Sequence, residues 1–329
     1  MLVLSADDVR RALPMRDAIV AMRRALMAIS AGAVQVPLRT HLRVDEERGA
    51  LLTMPAHVAL DGSESLAVKV VSAFGRNPDV NLPRVQAAVV VLDPHTGTPL
   101  ALLEGAILTA IRTAAASAVA TDLLARQGSH TLAIIGAGVQ ARSHIHAICA
   151  VRDIQLISIY SRRSNSVDAL ILELASQGID CEFQNADTAA GALRDADIVC
   201  SVSTSPVPVY TDKDLSPGVH INAIGAYGRH GTEIPAETLV RATVFVDERS
   251  AALAEASDLI QAIEQGLISA DHIAGEIGEI LLERTAGRSS DEEITLFKSL
   301  GNGAEDATAA TVALENAKAN AIGQVIAWD

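Results

Sequence analysis

Residues 131–148 read TLAIIGAGVQARSHIHAI, the most informative segment of the chain. The short apolar run Thr131 to Ile135 predicts a buried strand. Gly136-Ala137-Gly138-Val139-Gln140-Ala141 follows at once and opens a helix-compatible segment. Together they form the glycine-rich dinucleotide fingerprint, with alanine as its third small residue. Each small residue has a physical task. Gly136 permits a tight turn, Gly138 lets the main chain approach a pyrophosphate, and Ala141 keeps the helix close to the sheet. The helix N-terminus then offers free N–H groups and its positive dipole end to phosphate oxygens. The motif stands mid-chain, so most of what precedes it belongs to another domain.

After the fingerprint, apolar strands alternate with helical patterns. Strands are predicted over 155–160, 181–183, 197–202, 220–224 and 243–247, and helices over 167–177 and 249–265. Such alternation implies a doubly wound parallel sheet, an α/β Rossmann domain. The first part reads differently. Ser5 caps a short helix, and Pro14 starts a second with Ala18, Met22, Leu26 and Ile29 on one face, closed by Gly32. Strands over 51–55, 66–71 and 86–92 are separated by turns at Asp61-Gly62 and Gly75-Arg76-Asn77-Pro78, which marks a mixed α+β domain with a sheet. An alanine-rich helix over 109–124 leads into the fingerprint strand. A last helix over 303–323 returns to the first domain. The expected division is 1–115 with 305–329, and 116–304.

Composition narrows the function classes. A chain of 329 residues holds about two domains. Aromatics make up only 2%, which disfavours a base-stacking platform, and a formal charge of −14 disfavours nucleic acid and other polyanions. Cys149, Cys181 and Cys200 are far apart, without metal or redox spacing. No His/Asp/Glu cluster points to a metal, and His144 and His146 face different sides of their helix. The N-terminus has no apolar signal core, and no apolar run reaches about 18 residues, so a cytoplasmic protein without a membrane span is expected.

The end of the second Rossmann strand bears on the cofactor. An NAD enzyme usually carries a carboxylate there for the ribose 2′-OH. This chain reads Ile159-Tyr160-Ser161-Arg162-Arg163-Ser164, two guanidiniums flanked by hydroxyls, which suit a 2′-phosphate. NADP(H) is therefore favoured over NAD(H). Ser203 and Thr204 follow the fourth strand, where a cofactor crevice is expected. Lys69 sits within an apolar strand and Arg39 within Pro37-Leu38-Arg39-Thr40, and on the residues alone each reads first as an ordinary exposed cation. Arg112 is harder to dismiss. It is the only charge between Glu104 and Asp122, and a buried guanidinium needs an anionic partner. A substrate carboxylate or a cofactor phosphate would serve.

Several stretches, taken together, resemble the ornithine cyclodeaminase/mu-crystallin family nearly end to end. They are Pro37-Leu38-Arg39-Thr40, Leu52-Thr53-Met54-Pro55-Ala56, Val68-Lys69-Val70, Asn81-Leu82-Pro83-Arg84-Val85-Gln86-Ala87, Leu108-Thr109-Ala110-Ile111-Arg112-Thr113-Ala114-Ala115, the glycine fingerprint, and Leu296-Phe297-Lys298-Ser299-Leu300-Gly301. The resemblance implies that the first domain binds substrate and forms a homodimer. It implies that Arg39, Met54, Lys69 and Arg112 contact the substrate, with Lys69 as the proton-transferring group. Arg112, Thr113 and Gly301 would join Gly136 to Gln140, Ser161 to Arg163 and Ser203 around the cofactor.

Members of the family differ in reaction. Cyclodeaminases carry an Asp after the fifth strand. Here the segment runs Asn222-Ala223-Ile224-Gly225-Ala226-Tyr227-Gly228, with Tyr227 at that position, and Tyr is a poor base at neutral pH. The segment resembles the Δ1-pyrroline-2-carboxylate reductases. The expected reaction is NAD(P)H-dependent reduction of a cyclic imino acid to L-proline, and of the six-membered imine to L-pipecolate. Alanine dehydrogenase or ornithine cyclodeaminase activity, and a non-catalytic NADPH-binding crystallin-like protein, are the alternatives.

Overall fold

The computed structural model describes residues 1–45, 48–225 and 231–328. The chain divides into two compact units: Met1–Arg112 with Gly301–Asp329, and Thr113–Leu300. The divisions fall at 112/113 and 300/301, where the sequence reading placed 115/116 and 304/305.

The first unit is built on an eight-stranded sheet. Gly49–Leu60, Ser63–Phe74, Val85–Leu92 and Pro99–Glu104 form an antiparallel meander. Leu2–Leu4 adds parallel to Pro99–Glu104. Thr40–Asp45 pairs with the first strand of the meander. Alternation decides which side chains are covered. Met54, Ala56 and Val58 on one strand, and Ser65, Ala67 and Lys69 on the next, are buried. The helix Gly303–Ala319 packs on this face. Gly303 allows the approach, since a Cβ there would lie 3.0 Å from Ala56 Cβ and 3.1 Å from Pro55 O. The strand Pro99–Glu104 lies in the stretch of short period that runs to Leu103, but the sequence reading did not separate it as a strand after the turn at Asp93–Gly97.

The second unit carries an eight-stranded sheet, parallel throughout. Its order is Glu182–Asn185, Leu156–Tyr160, Thr131–Ile135, Ile198–Ser201, His220–Ala223, Thr295–Lys298, Thr243–Val246, Ile273–Glu276. The order of successive strands reverses between Thr131–Ile135 and Ile198–Ser201, the topological switch point where such folds bind ligands. The fingerprint strand feeds both faces. Ala133 and Ile135 join one apolar core, and Leu132 and Ile134 the other. Each fully buried Leu or Ile contributes about 1.5–3 kcal/mol, so a one-residue slip of this strand is heavily penalised.

Three expectations are corrected. The helix expected over 109–124 begins at Gly105. The Glu104 carboxylate caps it, accepting the N–H groups of Ala106 and Ile107 at 3.0 and 2.8 Å. The helix expected over 249–265 is two, Arg249–Glu255 and Ser257–Glu264, separated by Ala256 at an extended ψ of 95°. Gly105–Leu124 also meets the length and hydropathy of a membrane span, contrary to the sequence reading. In the fold, 72% of that window is buried, as befits a core helix.

Candidate active site

The first unit gathers a charged cluster on the covered face of its sheet. Antiparallel register sets Met54 opposite Lys69. Lys69 is 3% exposed, and its Nζ lies 2.6 Å from Asp306 Oδ2. Asp306 Oδ1 accepts from Arg112 Nε at 2.9 Å, and Glu305 Oε2 accepts from Arg112 Nη1 at 2.9 Å. Asn302 caps the helix that carries both carboxylates, and the Glu305 side chain returns to the Asn302 N–H at 3.2 Å. Glu305 therefore serves a capping box and an ion pair at once. Gly301, at φ +66°, faces the Arg112 guanidinium so closely that a Cβ would lie 2.1 Å from Nη1. Arg39 Nη2 donates to Gly301 O at 3.0 Å.

Two opposing effects set the Lys69 proton. Burial, aided by the positive charges of Arg112 and Arg39, disfavours the ammonium, whereas Asp306 favours it. The result is a pKa lowered to about 8. Lys69 is thus a buried ammonium that releases its proton far more readily than an exposed lysine. Arg112 and Asp306 stay ionised: the two carboxylates push the guanidinium higher still, and Lys69 with Arg112 holds Asp306 below its usual value. The sequence reading offered Arg112 an external anion as partner. The structure gives it two carboxylates of its own chain.

The second unit holds a cleft of about 620 Å³ at the switch point. Gly136, Ala137, Gly138, Ser161, Arg162, Arg163 and Ser203 all line it. Gly136 adopts φ +119°, and a Cβ would lie 2.9 Å from Val202 O, so only glycine fits the turn. A Cβ on Gly138 would meet nothing within 4 Å, which leaves room for a ligand against the main chain. The helix Val139–Cys149 begins there with no side-chain cap, and Val139 and Gln140 form its first turn. These features fit a pyrophosphate. Arg162 and Arg163 are exposed toward the same cleft. Thr113 is buried in this unit. Arg112 and Gly301, also expected near the cofactor, meet each other in the first unit.

A family model for the ornithine cyclodeaminase/mu-crystallin family matches residues 1–321. The chain belongs to that family. It is similar to a Δ1-pyrroline-2-carboxylate reductase of Bacillus cereus, 37% identical over 99% of both chains. Its fold is similar to that of the Thermococcus litoralis Δ1-pyrroline-2-carboxylate reductase in complex with NADH and L-proline, with TM-score 0.94 and 38% identity over 99% of this chain and 100% of that one. An archaeal alanine dehydrogenase dimer with bound NAD superposes with TM-score 0.91 at 32% identity, covering 100% and 99% of the two chains.

Within this family member, sequence reasoning missed Glu305 and Asp306. Acidic residues opening a helix usually face water, where they favour the dipole. The signal was the alanine spread around Gly303–Ala319, which leaves no exposed side for Glu305 and Asp306 in its first turns. It was also blind to a second buried cluster of Glu233, Asp258 and Lys298. His144 is neutral, its pKa lowered to about 4 by burial, and its Nε2 lies 3.0 Å from Ser117 Oγ. No group of three potential metal ligands occurs among the described residues. Tyr227 lies outside the described residues.

Proposed function

We propose that the chain is an NAD(P)H-dependent ketimine reductase that converts Δ1-pyrroline-2-carboxylate to L-proline, and accepts Δ1-piperideine-2-carboxylate to give L-pipecolate. The observation that carries this reading is Lys69: a buried ammonium with a lowered pKa, ion-paired to Asp306 beside Arg112 and Arg39. The names of the relatives, two of them reductases of this imine, support it.

The chain's own groups divide the work. Arg39 and Arg112 hold the substrate carboxylate, fixing the ring in one orientation. Met54 offers apolar surface beside Lys69. Lys69 gives its proton to the imine nitrogen, directly or through one water, so the adjacent carbon becomes more electrophilic. Asp306 keeps Lys69 charged and aimed. Gly136, Gly138 and the first turn at Val139 and Gln140 hold the pyrophosphate of the dinucleotide, and Ser203 its ribose. Ser161, Arg162 and Arg163 hold a 2′-phosphate, so NADPH is preferred and NADH accepted. The bound dinucleotide supplies the hydride. One hydride on carbon and one proton on nitrogen complete the amine.

The protein acts as a cytoplasmic homodimer formed through the first unit. That unit exposes Leu38, Leu42, Val80 and Leu82, apolar surface suited to a second copy. A panel assay tests the activity. Cyclic imino acids, pyruvate with ammonia, and ornithine are each supplied with NADPH and with NADH. The cyclic imines should give the highest kcat/KM. A preference for pyruvate with ammonia makes the chain an alanine dehydrogenase. Ornithine consumption without net cofactor turnover makes it a cyclodeaminase.

A further inference from the structure

Three buried charges of the second unit take no part in the chemistry above. Lys298, at the end of strand Thr295–Lys298, lies 2.9 Å from Asp258 Oδ2 and 3.7 Å from Glu233 Oε2. Asp258, in the first turn of helix Ser257–Glu264, accepts the N–H groups of Glu233 and Ile234 at 2.6 and 3.1 Å through Oδ1. Glu233 Oε2 accepts the Gly225 N–H at 2.7 Å. Buried ion clusters are seldom better than apolar packing for stability, so stability alone is a poor reason for this one.

The cluster holds main chain that abuts the cofactor cleft. Gly225 rests on Ser203, since a Cβ would come 2.1 Å from Ser203 O. A Cβ on Gly231 would lie 3.2 Å from Pro206 O, and the Thr232 N–H donates to the same oxygen at 3.0 Å. On its other side the wall meets Gly136 at Val202 O. The cleft wall at 202–205, and Pro206 just after it, therefore meet these glycines main chain to main chain, so a shift of one is passed directly to the other. We infer that Glu233, Lys298 and Asp258 are positioning residues for dinucleotide binding, a buried charged clamp that, through Ser203 and Pro206, fixes the Val202–Ser205 wall against the glycine turn. The inference rests on the cleft being the dinucleotide site and is independent of the imine chemistry.

The clamp gives cofactor affinity a pH dependence. Burial pushes the Glu233 carboxyl up to about 7, with Lys298 opposing and Asp258 reinforcing. The other groups facing it are the Ser201 hydroxyl, the Tyr210 phenol and the Cys200 thiol, the last two held neutral by burial. Protonated Glu233 loses its attraction to Lys298 and weakens its hold on Gly225. Affinity should fall as pH falls through about 7. Fold stability should run the other way. The folded chain keeps a proton on Glu233 between about 4.5 and 7 that the unfolded chain has released, so this group's contribution falls as pH rises. A merely structural role would move the Tm and leave affinity flat.

The test is the Kd of the full-length protein for NADH and NADPH at pH 6, 7 and 8, read by cofactor fluorescence. NADH is included because it lacks a 2′-phosphate, whose second ionisation falls near pH 6 as for other phosphate monoesters. In the natural protein the NADH Kd should rise about 3- to 10-fold from pH 8 to pH 6. Glu233→Gln, which keeps an acceptor for Gly225, should be flat at the weaker value. Should that variant not fold, Glu233→Asp should shift the midpoint of the profile. A flat profile in the natural protein, or variants that track it at every pH, overturns the clamp. Failure of both cofactors to bind overturns the cleft reading and the clamp together.

Discussion

Lys69 combines a burial that discharges it with a carboxylate that keeps it charged, and the balance near pH 8 makes its role measurable. As the acid in imine reduction it must be protonated, so kcat/KM should fall as pH rises through about 8. Asp306→Asn removes the favourable partner and should move that limb to lower pH. The same change leaves Lys69 and Arg112 short of a counter-charge, and breaking a buried pair costs about 3–5 kcal/mol, visible as a lower Tm. Lys69→Ala should lower kcat by about 10²- to 10⁴-fold, the usual worth of a general acid, while NADPH affinity stays near the natural value. Retained turnover would remove Lys69 from the chemistry. Lys69 also bears on stability: folded, it releases its proton near 8, and unfolded near 10.5, so its contribution rises with pH between those values. Little of this was legible locally. An alternating strand puts half its residues in water, and only the helix Gly303–Ala319, far along the chain, reveals that Lys69 faces the covered side.

Among the elements, the glycine turn was the most legible, because its constraint is local: a short strand, a residue with positive φ, and an uncapped helix. The Arg pair after Leu156–Tyr160 was legible for the same reason, and it does line the cleft. Arg162→Ala with Arg163→Ala should weaken NADPH by about tenfold or more, from lost charge-assisted bonds, and leave NADH nearly unchanged. Equal losses for both cofactors would take the 2′-phosphate role from this pair. Strand Thr295–Lys298 was not legible as part of the sheet, since it inserts between His220–Ala223 and Thr243–Val246 out of chain order. Gly301 carries a contact that its resemblance to a cofactor residue does not reveal: its missing side chain admits Arg112, and its carbonyl accepts from Arg39. Gly301→Ala should displace Arg112, raise KM for the imine well above the natural value, and leave Kd for NADPH little changed. A rise in Kd for NADPH with unchanged KM would return Gly301 to the cofactor.

At the scale of the molecule, the strand–helix alternation after the fingerprint revealed the second unit, and the short strand periods revealed a mixed α+β first unit, whose antiparallel pairing only the fold shows. Burial of Gly105–Leu124 explains why so apolar a segment belongs to a folded core. The exposed Leu38, Leu42, Val80 and Leu82 bear on assembly. Light scattering should give twice the 34.3 kDa chain mass, and Leu42→Asp with Leu82→Asp should shift the mass toward one chain. The most direct measurement of all concerns the transferred hydride. The protein is incubated with Δ1-pyrroline-2-carboxylate and NADPH deuterated at the transferable C4 position, and the product is read by mass spectrometry and chiral chromatography. The reductase reading predicts L-proline with one deuterium on its α-carbon, formed over many turnovers. Unconsumed imine, or proline without the label, would contradict it.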